Sequence, residues 1–177
     1  MLFRSELVGL LDLETIDVDL FRGRTLDTGR SRVYGGHVAA QAPVAGVRTV
    51  DPGVHVHSLH SYFLLAGDPK LPIVYDVERI RDGRSFATRR VSARQHGKPI
   101  YYLTASFQRS EAGYDHQDAM PAAAPPEEGL DFIALMKKRG NLEAEQLGRE
   151  WAALEGRWVG NSRHGLPADD EIGRAHV

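Results

Sequence analysis

The sequence predicts an α+β domain in which one antiparallel sheet wraps around one helix. Two observations lead to this prediction. Residues 57–108 contain four long β-segments separated by short turn sequences, which is the pattern of an antiparallel meander. The meander follows a single glycine-flanked stretch, YGGHVAAQAPVAGVRTV (residues 34–50), whose small side chains suit a helix packed closely against a sheet.

The residues before the meander predict a helix and a strand ahead of the central helix. Leucines recur at helical spacing near the N-terminus, and apolar residues then alternate up to Gly23. A polar, glycine-containing stretch follows and indicates a loop. The expected elements are a helix over Ser5–Leu13, a strand over Thr15–Gly23, a loop over Leu26–Val33 and the central helix from Gly36 to about Val50.

The meander itself is predicted from turn chemistry and alternation. GDPK, RDGR and QHGK supply the Gly, Asp and Pro that tight turns need. In FATRRVSA (residues 86–93), even-numbered residues share one face and odd-numbered residues the other, and neither face is purely apolar. One face is therefore expected on the helix and the other in solvent or on a partner. The predicted strands are Val54–Leu65, Ile73–Arg81, Phe86–Gln95 and Pro99–Arg109.

Pro43 is an unusual residue for the predicted central helix. Proline inside a helix costs about 3 kcal/mol, because it removes a backbone hydrogen bond and clashes with the preceding turn. Either the helix is kinked here or the sequence carries an error at this position. The residues leave both interpretations open.

The composition excludes several classes of function. The 177 residues carry a net charge of −2 with a pI near 6.4, so we expect no nucleic-acid partner. No apolar run reaches the ~20 residues that a membrane span needs. The absence of cysteine excludes disulfides, thiolate catalysis and cysteine-bound zinc, and it fits a cytoplasmic protein. None of the eight histidines has the helical spacing of a zinc site, so we expect no metal.

Several strings resemble the first half of the type II acyl-CoA thioesterases. They are VYGGHVAAQA, HSLHSYFL, RDGRSFATRRV and GKPIYYLTASFQ, and the resemblance covers roughly residues 5–120. Members of that family are double-hotdog enzymes that hydrolyse fatty acyl-CoA to free fatty acid and CoA. The resemblance implies a hotdog fold, an acyl-CoA substrate and no metal or redox cofactor. In the family, an Asp, a Ser or Thr and a Gln of the second hotdog activate the attacking water.

The resemblance also implies a domain organisation. Residues 1–117 correspond to the first hotdog, and residues 118–154 to a Pro/Ala-rich linker with short helices, one of them over Asn141–Leu154. Residues 155–170 resemble the start of a second hotdog. Residues 171–177, EIGRAHV, look like a translated sequencing adapter, so we expect a gene fragment, with a natural short tail as the alternative. The family's catalytic residues are then expected beyond Val177, and the chain alone is expected to be inactive.

Gly35, Gly36 and His37 are the first candidate substrate-binding residues. They stand at the start of the predicted central helix, where free N–H groups and the helix dipole favour an oxyanion or phosphate. The resemblance implies that this end of the helix points at the thioester carbonyl. Alternatively, the glycines only permit a tight entry into the helix.

His57 is a weak candidate for a catalytic residue. When the two halves of the family are laid over each other, HSLHSYF falls on the segment that bears the catalytic hydroxyl in the second half. The positions that match the catalytic set then hold residues such as Gly36, His57 and Ala105, which do not reproduce it. A histidine hydrogen-bonded within a sheet is the favoured interpretation of His57.

Arg81, Ser85 and Phe86 belong to a predicted hairpin that precedes the pair Arg89–Arg90. Arginines here could hold the pyrophosphate or 3′-phosphate of CoA through charge-assisted hydrogen bonds. The favoured alternative is a solvated turn with cross-strand ion pairs, for example to Asp76 or Glu78.

Two other functions remain open from the sequence. One is a non-catalytic hotdog module that binds acyl-CoA, and the other is a hotdog hydratase. A hydratase would need an Asp–His or Glu–His pair near the central helix, and the sequence shows no such motif there. For assembly, the resemblance implies an exposed edge strand, so we expect a homo-oligomer or pairing with a second hotdog.

Overall fold

The computed structural model describes residues 2–26, 28–120, 124–152 and 154–159. Ser5–Gly113 form one compact unit, and the described residues from Tyr114 onward belong to another. The expected tail, residues 171–177, lies outside the described residues, as does the expected start of a second hotdog beyond residue 159.

The N-terminal segment forms a helix and a hairpin rather than a helix and one strand. The prediction of a single strand over Thr15–Gly23 is wrong, because the chain reverses at Val18 and Asp19. Asp19 adopts a left-handed conformation with φ +57°, which aspartate tolerates better than most residues. A turn without glycine leaves little trace in the sequence. The elements are α1 (Leu2–Leu11), β1 (Glu14–Asp17) and β2 (Leu20–Gly23).

The central helix, α2, spans Gly35–Val47 and is close to its predicted position. Its small residues Ala42, Ala45 and Gly46 are buried and let the helix lie close to the sheet. Pro43 is half-buried and the helix continues past it to Val47. The proline therefore costs one backbone hydrogen bond without ending the helix.

The predicted meander is confirmed, with strand ends within two residues of those expected. All neighbouring strands pair antiparallel, in the order β1-β2-β4-β5-β6-β3. Together with α2 packed on one face, this confirms the α+β class and the plan of one sheet around one helix. The four strands are β3 (Val54–Phe63), β4 (Ile73–Asp82), β5 (Phe86–Gln95) and β6 (Lys98–Arg109).

The core lies between α2 and the inner face of the sheet. In β5 the odd-numbered residues are buried and the even-numbered ones are more exposed, so the two faces are those predicted and the odd-numbered face is the one on the helix. The buried residues come from every part of this unit, so the sheet and helix depend on each other. The core includes Leu13, Phe21, Val38, Ala42, Ala45, Ile73, Tyr75, Val77, Val91, Leu103, Ala105 and Phe107.

Strand β3 is an edge strand that is open on both faces. It pairs with β6 on one side, and none of its residues is buried. Its ten residues carry no Asp, Glu, Lys or Arg, the charges that commonly protect an edge from pairing with another chain. Three large apolar residues, Val56, Leu59 and Phe63, lie opposite buried residues of β6 and are exposed; we call them the β3 apolar patch.

The second unit contains short elements. A helix over Phe132–Lys138 (α3) lies in the linker where short helices were expected, although its bounds were not predicted, and Asp131 caps it by accepting the Ala134 N–H at 2.7 Å. The helix predicted over Asn141–Leu154 is shorter, covering Ala144–Glu150 (α4). A 3-10 turn over Pro126–Glu128 lies in the expected linker. Two two-residue strands, Leu130–Asp131 (β7) and Arg157–Trp158 (β8), pair with each other. Among the described residues, no helix is long and apolar enough to cross a membrane.

Candidate functional site

The amino-terminal end of α2 carries the first predicted site residues, Gly35, Gly36 and His37. The preceding residue, Tyr34, has an extended backbone and makes no side-chain capping hydrogen bond. Gly36 is exposed and Gly35 is half-buried. The His37 N–H donates to the Tyr34 carbonyl at 3.0 Å, so the donors that this end can offer are the amides of Gly35 and Gly36, and the dipole is positive here. This end of α2 can therefore accept an oxyanion or another negatively charged group.

An aromatic side chain lies directly beside this end of the helix. A Cβ atom added to Gly35 would stand 3.0 Å from the Phe63 ring, so glycine permits the close approach. Phe63 in turn packs on the buried ring of Tyr101, with centroids 4.8 Å apart. The helix end thus combines backbone donors with the apolar side chain of β3, two features that an acyl thioester requires.

His37 is turned away from the glycines and towards the segment that precedes α2. Its Nε2 lies 3.0 Å from the carbonyl oxygen of Arg24. Because a carbonyl only accepts, Nε2 carries the proton and donates it. Burial lowers the pKa of His37 below its ordinary value of 6.5, so the neutral form is favoured.

The pKa of His37 leads to a prediction about stability and pH. The pKa of His37 is lower in the folded protein than in the unfolded chain. The unfolded state therefore binds more protons below pH 6.5. Stability should therefore fall as the pH drops below 6.5. We expect urea unfolding between pH 5 and 8 to show a smaller pH dependence in H37Q than in the wild type. The exposed His55 supplies the matched control, and an equal reduction in H55Q would contradict the prediction.

A buried polar network that the sequence did not reveal lies behind the helix end. The Gln41 side chain donates to the carbonyls of Leu10 and Arg24, at 2.6 and 3.1 Å. Its Oε1 accepts from the Tyr75 hydroxyl at 2.7 Å. Burial raises the pKa of the Tyr75 phenol, which keeps it protonated as a donor. The network ties α1, α2 and β4 together and holds the segment on which His37 rests.

The predicted hairpin residues lie at the other end of α2. Arg89, which is 1% exposed, donates to the carbonyl and hydroxyl of Thr49, just beyond the helix, at 2.9 and 2.8 Å. It also reaches Asp82 at 2.5 Å and the carbonyl of Arg81 at 2.9 Å. The turn between β4 and β5 is thereby attached to the carboxyl end of the helix. Arg89 is thus engaged within the protein, as is Arg90, which pairs with Glu78 at 3.0 Å.

The two predicted sets of substrate-binding residues are therefore not brought together. Gly35, Gly36 and His37 begin α2, whereas Arg81, Ser85 and Phe86 lie beyond its last turn. The helix has 13 residues, so its ends are about 20 Å apart. Ser85 is half-buried and uses its carbonyl to accept the Arg109 N–H at 3.0 Å. Phe86 is exposed on the outer face of β5.

His57 lies on the outer side of the sheet, where the pairing of β3 with β6 is interrupted by a bulge. Its Nε2 is 2.9 Å from the Ser106 hydroxyl, and its ring meets the edge of Phe86 at a centroid distance of 5.9 Å. The structure thus joins His57 with one of the predicted hairpin residues, but not with the glycines of α2. A histidine bonded to a strand serine agrees with the favoured interpretation of this residue.

The arrangement of acidic and histidine side chains does not suggest a metal centre. No group of three or more His, Asp or Glu residues with the geometry to hold an ion occurs in the described parts of the chain.

One antiparallel sheet wrapped around one helix, with the amino-terminal end of that helix beside an open edge strand, defines the unit Ser5–Gly113 as a hotdog domain. The family model for the acyl-CoA thioesterase N-terminal domain matches residues 23–108. The resemblance found in the sequence is confirmed over this part of the chain.

The relatives agree with this resemblance. The chain is 53% identical over 135 residues to acyl-coenzyme A thioesterase 8 of Homo sapiens, covering 75% of this chain and 42% of the relative. It is 42% identical over 149 residues to acyl-CoA thioesterase 2 of Haemophilus influenzae, covering 84% and 52%. The solved structure of acyl-CoA thioesterase II TesB2 from Mycobacterium marinum is 52% identical, with a TM-score of 0.63, and the match covers 70% of this chain and 47% of that one. The chain spans about half the length of the relatives it matches.

Proposed function

We propose that this chain provides the first hotdog of an acyl-CoA thioesterase, which hydrolyses fatty acyl-CoA to fatty acid and CoA. The main support is the family match over residues 23–108, together with 53% identity to a human acyl-coenzyme A thioesterase. We further propose that a second hotdog supplies the Asp, Ser or Thr and Gln that activate water. The protein is proposed to act in the cytoplasm, in keeping with its lack of cysteine.

The amino-terminal end of α2 would supply electrostatic stabilisation in this reaction. Attack of water on the thioester places negative charge on the carbonyl oxygen, and backbone N–H groups aimed at that oxygen lower the barrier. A Cβ atom added to Gly36 would stand 2.4 Å from the Tyr34 ring, so Tyr34 lies against this glycine and would have to move aside for a thioester to approach. Phe63, beside Gly35, would contact the acyl chain near the carbonyl.

The proposed thioesterase function predicts a large difference in turnover between the 177-residue chain and a longer form that includes a second hotdog. We expect the 177-residue chain to release free thiol from decanoyl-CoA at least about 10²-fold more slowly than the same protein extended through a second hotdog. A positioned general base alone accelerates such a reaction by about that factor. The Ser or Thr hydroxyl and the Gln amide of the proposed catalytic set would also come from the second hotdog. Thiol release followed with a colorimetric reagent measures both forms.

The controls separate the alternatives. Comparable turnover by the chain alone, lost in H57A, would show that the first hotdog carries its own catalytic residues. Acyl-CoA binding without thiol release by the extended form would instead identify a non-catalytic binding module. Hydration of an enoyl-CoA would identify a hydratase.

The open edge of the sheet supports a proposal about assembly. Among the described residues no strand pairs with the outer side of β3, and in the β3 apolar patch Leu59 is 52% and Phe63 62% exposed. Exposed edges and contiguous apolar surfaces commonly mark places where another chain or domain binds. We propose that β3 pairs with the second hotdog, and that two copies of the isolated chain pair with each other through it.

Light scattering tests this assembly. The 177-residue chain should form dimers or larger species, and L59E should shift them towards the 19.6 kDa monomer. Val18 is also exposed and apolar but lies in the turn between β1 and β2, so V18E is the matched control and should leave the assembly unchanged. A wild-type chain that stays monomeric over a wide concentration range would contradict the proposal.

A further inference from the structure

Gln95 is a buried polar side chain with no role in the site described above. It is the last residue of β5 and is 7% exposed. Its side-chain oxygen accepts the Asp68 N–H at 2.7 Å, and its amide donates to the carbonyls of Asp68 and Leu71 at 2.9 and 2.8 Å. Both partners belong to residues 66–72, which lie between β3 and β4 and which we call the anchor loop. Gln95 therefore uses its amide hydrogens and its oxygen to hold this one loop.

The anchor loop is also packed against the core. Gly67 is buried, and a Cβ atom there would approach Ile100 to 3.1 Å and Val33 to 3.3 Å. Ile100 is itself a core residue and is 4% exposed. A loop that is bonded to a buried side chain and packed at a buried glycine has little freedom to move. It can therefore hold a neighbouring segment in place.

The anchor loop is bonded to both ends of the segment that joins β2 to α2. Near the start of that segment, the Thr25 hydroxyl donates to the carbonyl of Pro69 at 2.7 Å. At its end, the Val33 N–H donates to the carbonyl of Gly67 at 2.8 Å. Val33 stands two residues before Gly35, so their Cα atoms are at most about 7 Å apart. The carbonyl of Gly67 therefore fixes the point from which the chain enters α2.

The entry into α2 depends on such support because its own residues constrain it weakly. Tyr34 makes no side-chain capping hydrogen bond. Two glycines follow, Gly35 and Gly36, and glycine restricts the backbone less than any other residue. Backbone amides stabilise an oxyanion well only when they are held in the right direction beforehand. The direction of these two amides is therefore set largely by what holds Val33 before them.

We propose that Gln95 is a positioning residue for thioester hydrolysis. It acts through the Gly67 carbonyl on Val33, and so on the amides of Gly35 and Gly36. The inference rests on the proposed function, which places the developing negative charge at this end of α2. Amides that are aimed at an oxyanion stabilise the transition state more than the bound substrate. Loss of their position should therefore lower kcat and leave KM nearly unchanged.

Steady-state hydrolysis of decanoyl-CoA by the protein extended through a second hotdog tests the kinetic effect. Q95L fills a similar volume but neither donates nor accepts a hydrogen bond. Its kcat should be lower by about tenfold or more, and its KM should change by less than about twofold. T25V removes the hydroxyl bonded to the anchor loop and should lower kcat by a smaller factor.

Two control variants separate positioning from a general loss of stability. Q108L replaces a half-buried glutamine on the outer face of β6 and should leave kcat and KM unchanged. R89M removes a buried arginine bonded to Thr49, at the far end of α2. R89M should therefore keep its kcat under conditions in which circular dichroism shows it to be folded.

Amide hydrogen exchange of the 177-residue chain tests the structural part without any need for activity. Exchange followed by NMR should be about tenfold or more faster at the Val33 N–H in Q95L than in the wild type, because the carbonyl that accepts this N–H is no longer held. R89M and Q108L should not accelerate exchange at Val33.

Three outcomes would overturn the inference: full kcat in Q95L, an equal loss of kcat in R89M, or unchanged exchange at Val33 in Q95L. Urea unfolding shows whether each variant keeps its fold, and T25V decides the matter if Q95L unfolds. Faster exchange at Val33 in Q95L, with no thioester hydrolysis by the extended wild type, would overturn the proposed function and leave the support of the helix entry standing. Hydrolysis by the wild type with full kcat in Q95L would overturn the inference alone.

Discussion

Replacing Arg89 with methionine should lower the free energy of unfolding by about 2–4 kcal/mol. Arg89 is almost fully buried, and its guanidinium donates hydrogen bonds to the carbonyl and hydroxyl of Thr49 and to the carbonyl of Arg81. Each buried acceptor that loses its donor costs about 1–3 kcal/mol, partly offset by the removal of a buried charge. Methionine fills much of the volume but donates nothing. Urea unfolding followed by circular dichroism measures the change.

The neighbouring arginine is the control. Arg90 is exposed and pairs with Glu78 across the sheet surface, and such pairs contribute about 0–1 kcal/mol. R90M should therefore change stability little. Similar losses in R89M and R90M would mean that the attachment of the β4–β5 turn to the end of α2 does not stabilise the fold. D82N adds a second comparison, because it keeps the buried guanidinium while removing its anionic partner, which is 57% exposed.

Replacing Gln41 with leucine should cost a similar amount, about 2–4 kcal/mol. The substitution leaves the Leu10 and Arg24 carbonyls without the amide donor and the Tyr75 hydroxyl without its acceptor. Gln41 is 0% exposed, so water cannot easily replace these bonds. Y75F breaks only the bond between the two side chains and should cost about 1–3 kcal/mol.

A double-mutant cycle tests whether the two residues act together. Because they share a hydrogen bond, Q41L/Y75F should be less damaging than the sum of the single substitutions, with a coupling energy of about 0.5–3 kcal/mol. Q108L replaces a half-buried glutamine on the outer face of β6 and should be almost neutral. Additive effects of Q41L and Y75F would contradict the network.

Most elements of the fold were predictable because their signals are local. The turn sequences RDGR and QHGK mark the ends of β4, β5 and β6, and the alternation in β5 separated its two faces correctly, although it did not show which face, with Arg89, is buried. The hairpin at Val18 and Asp19 was missed, since it contains no glycine or proline and preserves the apolar alternation. Short helices were expected in the linker, but the position of α3 was not predicted, because seven residues provide too little periodicity.

The candidate site was only partly predictable. Gly35, Gly36 and His37 were found because a glycine pair before a helix is a recognisable local pattern. Gln41 could have drawn attention as a polar residue on the buried face of an otherwise small and apolar helix. Its partner Tyr75 is 34 residues away and could not be named without the sheet pairing. Gln95 was hidden for the same reason, because its partners at Asp68 and Leu71 belong to another turn.

By itself, the sequence determined the class of the fold, the order of its strands along the chain and the resemblance of residues 23–108 to the acyl-CoA thioesterase N-terminal domain. These features depend on periodicity, turn residues and short strings, all of which are properties of residues close together in the sequence. Only the tertiary structure decided that Arg81, Ser85 and Phe86 lie at the far end of α2 from Gly35, and that the anchor loop lies beside the segment leading into α2. Those distances follow from which strands pair and on which face the helix packs. That choice depends on burying the whole core at once, and no stretch of a few residues encodes it.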